Sequence, residues 1–277
     1  MWFELALVSM FAYGVLDFLF KVAEERRADF STLLLYYYWS AALIAFALFA
    51  LMPTAITNFP FIAFFAAAQV SFYLSANVLK LESLKHIKSV LAYPIFSLHG
   101  VVVAILAFFF LGESLDLAHY VGIALSVAAI LLLIERGKHL RVSRGALLAL
   151  GAMLCLAISA AITAAVVDQL VLLPFIAMSY FFAIGPSYVL EKRLHNRSGT
   201  TEGIAPLGIA MGLANVTAFF SLLLALQNGP ASIVFPVSSL ALLVSVVLSI
   251  LVYKERLNAA KAFAILLALA AIVVMKL

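Results

Sequence analysis

Cysteine and charge are what this chain has least of. Cys155 is the sole cysteine in 277 residues, so an internal disulfide is excluded and redox compartment is not readable from thiols. Only 11% of the residues are Asp, Glu, Lys or Arg, against 66% hydrophobic. A soluble globular domain carries about 25% charged residues. The composition therefore excludes that class and points to a membrane protein. No polar stretch is long enough to form an attached soluble domain, and no cleavable leader is evident, because an apolar segment long enough to span begins at Trp2. Catalytic and nucleotide-binding motifs are missing too. There is no His-Glu-x-x-His pair, no Gly-x-Ser-x-Gly elbow and no Gly-x-x-x-x-Gly-Lys-Ser loop. These absences speak against an intramembrane enzyme and against ATP-driven transport by this chain alone. No cofactor and no metal site are expected.

What is abundant is apolar sequence in lengths that match a bilayer, about 20 residues each. Ten spans can be drawn: 2–23, 32–52, 60–80, 88–111, 118–135, 145–167, 171–190, 203–226, 230–253 and 259–276. The loops between them are short.

The chain also repeats itself. Ser89 to Ile130, shifted by 142 residues, falls on Ala231 to Ile272 without a gap. Pro94 lands on Pro236, Ser97 on Ser239, Leu98 on Leu240, Glu113 on Glu255 and Leu115 on Leu257. Tyr38 and Tyr180 fit the same register. Leucine and alanine matches are cheap in so apolar a chain, whereas a proline and a glutamate at one shift are not. Two five-span units are read from this, residues 1–135 and 145–277, joined by a linker over 136–144. Each contains a helix interrupted early by proline, which leaves a backbone carbonyl without its usual partner. In lipid such a group must be buried in protein or face a cavity. Interrupted helices at matching places in two halves are a pointer to a transporter's binding site.

Five is odd, so the second unit starts from the opposite face. Sixteen of the seventeen Lys and Arg residues fall in alternate loops, from Lys21 to Lys261, and only Lys276 falls on the other side; this count takes Lys80 as part of the loop after the third span. The positive-inside rule reads that side as cytoplasmic. Both termini are then outside, and the two units are inverted repeats. The basic residues are accounted for by orientation, so no nucleic-acid partner is implied.

With these features in place, the chain resembles the drug/metabolite transporter superfamily, specifically its ten-helix EamA branch. The resemblance rests on Tyr13-Gly14 through Lys21, on Leu111-Gly112-Glu113-Ser114-Leu115, on Gly122, on Gly229-Pro230-Ala231-Ser232, on Pro236 and on Lys254-Glu255-Arg256-Leu257. It covers essentially the whole length. It implies an exporter of amino acids and related metabolites or of drugs, a central cavity between the halves, and a peripheral fifth and tenth helix. Many members carry basic residues in the loop after the second span, which is bare here between Pro53 and Pro60.

Residues near the middle of spans are the candidates for chemistry. Gln69, His99 and Asn215 lie deepest, with Ser159 and Ser239 nearby. Intramembrane ionisable groups are expensive to hold and are functional hypotheses by default. His99 is the deepest of these, read either as a proton-coupling site or as a neutral donor to a carbonyl freed in a neighbouring helix. Asp17 is four residues before Lys21, on one helix face. It is read first as an interfacial ion pair with Lys21 and otherwise as a proton-coupling group. Tyr13, one turn deeper, is a lining candidate. Gln69, Tyr73 and Asn77 make one stripe at steps of four, either lining a site or bonding helix to helix. Tyr36 to Trp39 are read as an interfacial belt, with about two of the four limited to that role. Glu113 and Glu255 are expected to accept from the free amides of the final helix in each unit. Asn196-Arg197-Ser198 fits a glycosylation pattern but falls in a loop read as cytoplasmic.

The sequence thus predicts an all-α integral membrane protein, working as a monomer or homodimer in the cell membrane. Its function is expected to be secondary transport of amino-acid-like solutes around a midplane site, with Pro94 and Pro236 as gate breaks and protons as the coupling ion to test. Efflux of aromatic or cationic drugs is the alternative within this class. An intramembrane enzyme or a non-transporting scaffold is the alternative outside it; a scaffold would not need matched proline breaks or a polar midplane.

Overall fold

The computed structural model describes residues 1–56, 58–87, 89–113, 116–133, 143–194, 199–254 and 257–276. The first half consists of α1 (Trp2–Glu25), α2 (Phe30–Leu51), α3 (Phe59–Leu84), α4 (Ser89–Ser97), α5 (His99–Leu106) with a π turn over Ala107–Leu111, and α6 (Leu117–Leu132). The second consists of α7 (Arg144–Val166) with a 3-10 turn over Val167–Gln169, α8 (Leu172–Leu194), α9 (Ile204–Leu226), α10 (Ala231–Ser239), α11 (Ala241–Tyr253) and α12 (Ala259–Lys276). Among the described residues there is no strand, only an isolated bridge from Ala28 to Thr200. Among the described residues nine spans are long and apolar enough to cross a membrane, and Leu117–Leu132 is a shorter apolar helix that makes the tenth. The predicted all-α ten-helix membrane fold is therefore the observed one. Most of the linker expected over 136–144 and the Asn196-Arg197-Ser198 motif lie outside the described residues.

Local chemistry sets the helix starts. Asp29 Oδ1 accepts from Thr32 N at 3.0 Å to cap α2, and Ser143 Oγ accepts from Ala146 N at 3.2 Å to cap α7. Pro60 opens α3 at a position where no amide is needed. Gly112, at φ +67°, ends the π turn in the left-handed region that a side chain would disfavour. On the outside, Phe64, Phe109, Phe110 and Leu266 stay exposed, as lipid-facing residues should be.

The two halves are interleaved rather than set side by side. α3 packs along α7 and α1 along α9, which is the same pairing carried over by the 142-residue shift. α2 meets α8, and α5 meets α10. α6 and α12 pack chiefly on each other, away from the centre.

The two proline-containing helices break in the same way. Pro94 and Pro236 lie inside α4 and α10, and each helix breaks one turn later, at Leu98 and Leu240. Leu98 N donates to Ile95 O at 3.2 Å and Leu240 N to Val237 O at 3.1 Å. Val101 N donates to Leu98 O at 3.1 Å and Leu243 N to Leu240 O at 2.9 Å. These are three-residue bonds in place of four-residue ones. The hydroxyls of Ser97 and Ser239 donate back to Tyr93 O and Phe235 O, at 3.1 and 2.9 Å, a bond that competes with the ladder and bends helices. All these partners correspond under the shift of 142. The broken helices cross at Gly100, where a Cβ would sit 1.8 Å from Ser239 Oγ and 2.7 Å from Phe235 O. Only glycine allows that approach.

Candidate functional site

The crossing forms part of the wall of a cavity lined from both halves. Nine helices of both halves contribute to its wall: α1, α3, α4, α5, α7, α8, α9, α10 and α11. Both helix breaks reach it, through Ser97 and His99 on one side and Ser239 and Ala241 on the other.

The structure brings most of the predicted residues together here. Tyr13, Asp17, Gln69, Tyr73, His99, Ser159, Asn215 and Ser239 all line this one cavity. Asn77 does not. Steps of four advance by about 40° each around a helix of 3.6 residues per turn, so Asn77 has rotated about 80° from Gln69. Its Nδ2 donates to Tyr38 Oη at 2.9 Å, the helix-to-helix role. Pro94 and Pro236 stay outside the lining and act through the bends that follow them.

A connected polar seam joins the two halves. Tyr37 and Tyr73 hydroxyls lie 3.3 Å apart, Tyr73 Oη donates to Asn215 Oδ1 at 3.2 Å, and Asn215 Nδ2 donates to Tyr180 Oη at 2.8 Å. Tyr73 and Asn215 are themselves related by the 142 shift. Gln69 Nε2 donates to Ser159 Oγ at 3.1 Å, and Ser159 Oγ donates to Gln69 O at 3.1 Å, joining α3 to α7. His99 Nδ1 lies 2.9 Å from Phe96 O. A carbonyl only accepts, so Nδ1 carries a proton, and in the neutral ring Nε2 then holds the lone pair. The carbonyl belongs to the turn just before His99, whereas the non-functional reading of the sequence places it in a neighbouring helix; the proton-coupling reading is untouched by this. Three lining atoms, Gln69 Oε1, Tyr93 Oη and Ser238 Oγ, have no hydrogen-bond partner among the described residues. Their residues are 6%, 8% and 6% exposed. Buried polar groups normally find partners, so these three atoms of lining residues are exceptions grouped beside the cavity.

Three expectations are corrected by this geometry. Lys80 was assigned to the loop after the third span, but it lies inside α3 and lines the cavity. Its Nζ sits 5.4 Å from the centroid of Phe96. Asp17 makes no ion pair with Lys21 among the described residues; it lines the cavity, while Lys21 Nζ lies 5.7 Å over the Tyr253 ring. Glu113 does not cap its own final helix. α6 begins only at Leu117, with Asp116 as the residue before it, so Glu113 stands too early in the chain. Its carboxylate instead accepts from Ala231 N and Ser232 N, both at 2.8 Å, and from Ser232 Oγ, at the start of α10 in the other half. Glu255 lies outside the described residues.

Of the aromatic run, Tyr36 and Trp39 are 43% and 46% exposed, and Tyr37 and Tyr38 are fully buried. Half the run therefore serves a belt and half the interior. Sequence reasoning missed Lys80, Tyr93, Phe96 and Tyr180 as lining groups. Lys80 had a readable signal: eleven residues past Gln69, it returns to within about 20° of Gln69's face.

Beyond the lining, at the end of the bundle that carries Trp2 and Gln227, Trp2 packs where a side chain at Gly229 would be, Gln227 Nε2 donates to Val167 O at 3.3 Å, and Glu113 ties the start of α10. From this end the lining runs toward Phe20 and Lys80, at the end of the bundle that holds most of the basic residues.

Comparison with known proteins agrees with this architecture. The model of the EamA-like transporter family matches residues 1–135 and, a second time, 143–277. No curated protein matches the chain. Among solved structures 29 chains match. One, described only as the crystal structure of a protein, has a TM-score of 0.83 at 15% identity and covers 99% of this chain and 98% of its own. That likeness shows the fold.

Proposed function

The chain belongs to the EamA-like transporter family, and from that membership we propose that it exports small, amino-acid-like metabolites across a cell membrane as a secondary transporter. The two halves act as inverted five-helix units that rock around the cavity, exposing it to one side and then the other. The observation that carries this reading is the meeting of both broken helices at a mainly apolar cavity set with polar side chains, three of which have a buried atom without a partner among the described residues. A membrane scaffold has no use for such atoms, since each costs free energy while unpaired.

Gln69, His99, Ser159, Asn215 and Ser239 offer donors and acceptors to a neutral or zwitterionic solute. Tyr13 and Tyr73 give it aromatic faces. With the basic end taken as cytoplasmic by the positive-inside rule, the cavity extends toward the cytoplasm and the Glu113 end is the closed external gate. Transport then requires Glu113 to release α10. His99 or Asp17 takes up the proton if the cycle is proton-linked.

The aromatic wall also favours a second reading, efflux of flat cationic drugs, because Tyr faces attract cations. Sealed vesicles holding purified protein and loaded with one unlabelled solute distinguish the two. Counterflow accumulation of labelled amino acids supports the first reading. Accumulation of a cationic dye but of no amino acid supports the second, and accumulation of neither overturns both.

A further inference from the structure

The wall of the cavity obeys the 142-residue shift at some positions and breaks it at others. Asp17 and Ser159, Tyr73 and Asn215, and Ser97 and Ser239 correspond, and both members of each pair line the cavity. The repeat register therefore holds within the site itself. Gln69, Tyr180 and Phe219 also line it, but their counterparts Met211, Tyr38 and Asn77 do not. Those counterparts are sealed behind the wall: Met211 and Tyr38 are 0% exposed and Asn77 is 1% exposed. Asn77 Nδ2 donates to Tyr38 Oη at 2.9 Å, yet Asn77 Oδ1 has no hydrogen-bond partner among the described residues. A buried acceptor left unpaired costs free energy, so packing in this one arrangement gives no reason for an amide there. In the other half the matching place holds Phe219, whose ring meets that of Tyr180 edge-on at 6.3 Å between centroids.

Two units of one build, set in opposite senses, reach the opposite-facing state when each takes up the arrangement of the other. Positions that line the site in one half only then exchange with their counterparts. We propose that Met211, Tyr38 and Asn77 are a second, concealed wall of the site, which lines it in the opposite-facing state in place of Gln69, Tyr180 and Phe219. This rests on the transporter reading above and on its inverted units. A solute then meets a thioether where it met an amide, and an amide where it met a phenyl ring. Asn77 Oδ1 gains water or solute as the partner it lacks here. The site thus presents different chemistry, and a different affinity, to the two sides of the membrane.

The test uses the full-length protein carrying Cys155→Ser, reconstituted in one orientation in sealed vesicles. A membrane-impermeant thiol reagent is applied to one face at a time. Leu222 and its counterpart Lys80 both line the cavity, so Leu222→Cys should be labelled from both faces. Gln69→Cys should be labelled about tenfold or more faster from one face, and Met211→Cys about tenfold or more faster from the opposite face, because a thiol sealed in one state reacts only through the other. Asn77→Cys, a change of little volume, should follow Met211→Cys and decides the matter if Met211→Cys does not fold. Rates from the two faces are compared within one variant, so folded yield cancels. Labelling of Met211→Cys and Asn77→Cys from the same face as Gln69→Cys overturns the concealed wall. So does their failure to label at all while Leu222→Cys labels from both faces, and the transporter reading then stands without it. Labelling of Leu222→Cys from one face only overturns both.

Discussion

In the transport cycle proposed above, removing the Glu113 carboxylate should release the start of α10 and open the end of the bundle that it ties. Its two oxygens accept two amides at 2.8 Å and the Ser232 hydroxyl, all at the start of α10. A hydrogen bond to a charged group contributes about 1.5–3 kcal/mol, and a negative charge at a helix N-terminus adds about 0.3–1 kcal/mol. The three bonds share one side chain and do not add fully. Freed amides would also be partly rehydrated once the end opens. We therefore expect Glu113→Ala to shift the balance between closed and open by about 3 kcal/mol, and Glu113→Gln, which keeps one acceptor oxygen, by about 1.5 kcal/mol. At about 1.4 kcal/mol per tenfold, these are factors of about 100 and about 10 in the open fraction. The assay needs a reporter behind the gate. Leu222 lines the cavity on α9 and is 6% exposed. With the sole native cysteine removed by Cys155→Ser, Leu222→Cys can be labelled by a membrane-impermeant thiol reagent applied from the closed side. Its labelling rate should rise by the factors above. If Glu113→Ala lowers the melting temperature and leaves the labelling rate unchanged, Glu113 is a structural cap and the gate lies elsewhere.

Other outcomes follow from the same geometry. A reporter active only in the cytoplasm should be silent when fused after Leu277 and active when fused after Lys138, given sixteen of the seventeen basic residues on one side by the sequence assignment; the opposite pattern would invert the orientation. Pro94→Ala and Pro236→Ala should slow transport per folded molecule more than they lower folded yield, because each restores an amide just before a bend; loss of yield alone would make the prolines structural. Gly100→Ala should cost about 1–3 kcal/mol in stability through its clash with Ser239, and Ser239→Ala should recover part of that; equal melting temperatures for Gly100→Ala with and without the second change would contradict the crossing.

Hydropathy made the spans legible to within a few residues, since a bilayer imposes one length on every helix. The repeat was legible for the same physical reason that it exists: Leu98 and Leu240 bend identically because Pro94 and Pro236, and then Ser97 and Ser239, stand at the same steps before them. Depth along a helix located Gln69, His99 and Asn215. What stayed hidden depends on rotation and on partners distant in sequence. Asn77 shares its stripe on paper yet turns to Tyr38. Lys80 looked like a loop residue because a charge usually ends an apolar run, but α3 continues to Leu84. Glu113 looked like a local cap, and its amides turned out to lie 118 and 119 residues away.

The central claim is that a solute binds where the polar side chains of both halves meet. The most direct measurement is substrate affinity and counterflow, at several pH values between about 5 and 8, for Gln69→Ala, His99→Ala and Asn215→Ala in the purified protein. Each lost hydrogen bond should weaken binding by about 0.5–1.5 kcal/mol, a factor of about 2 to 10. His99→Ala should also flatten any pH dependence of transport. If all three variants bind and transport like the parent, with folded yield unchanged, the cavity is not the transport site.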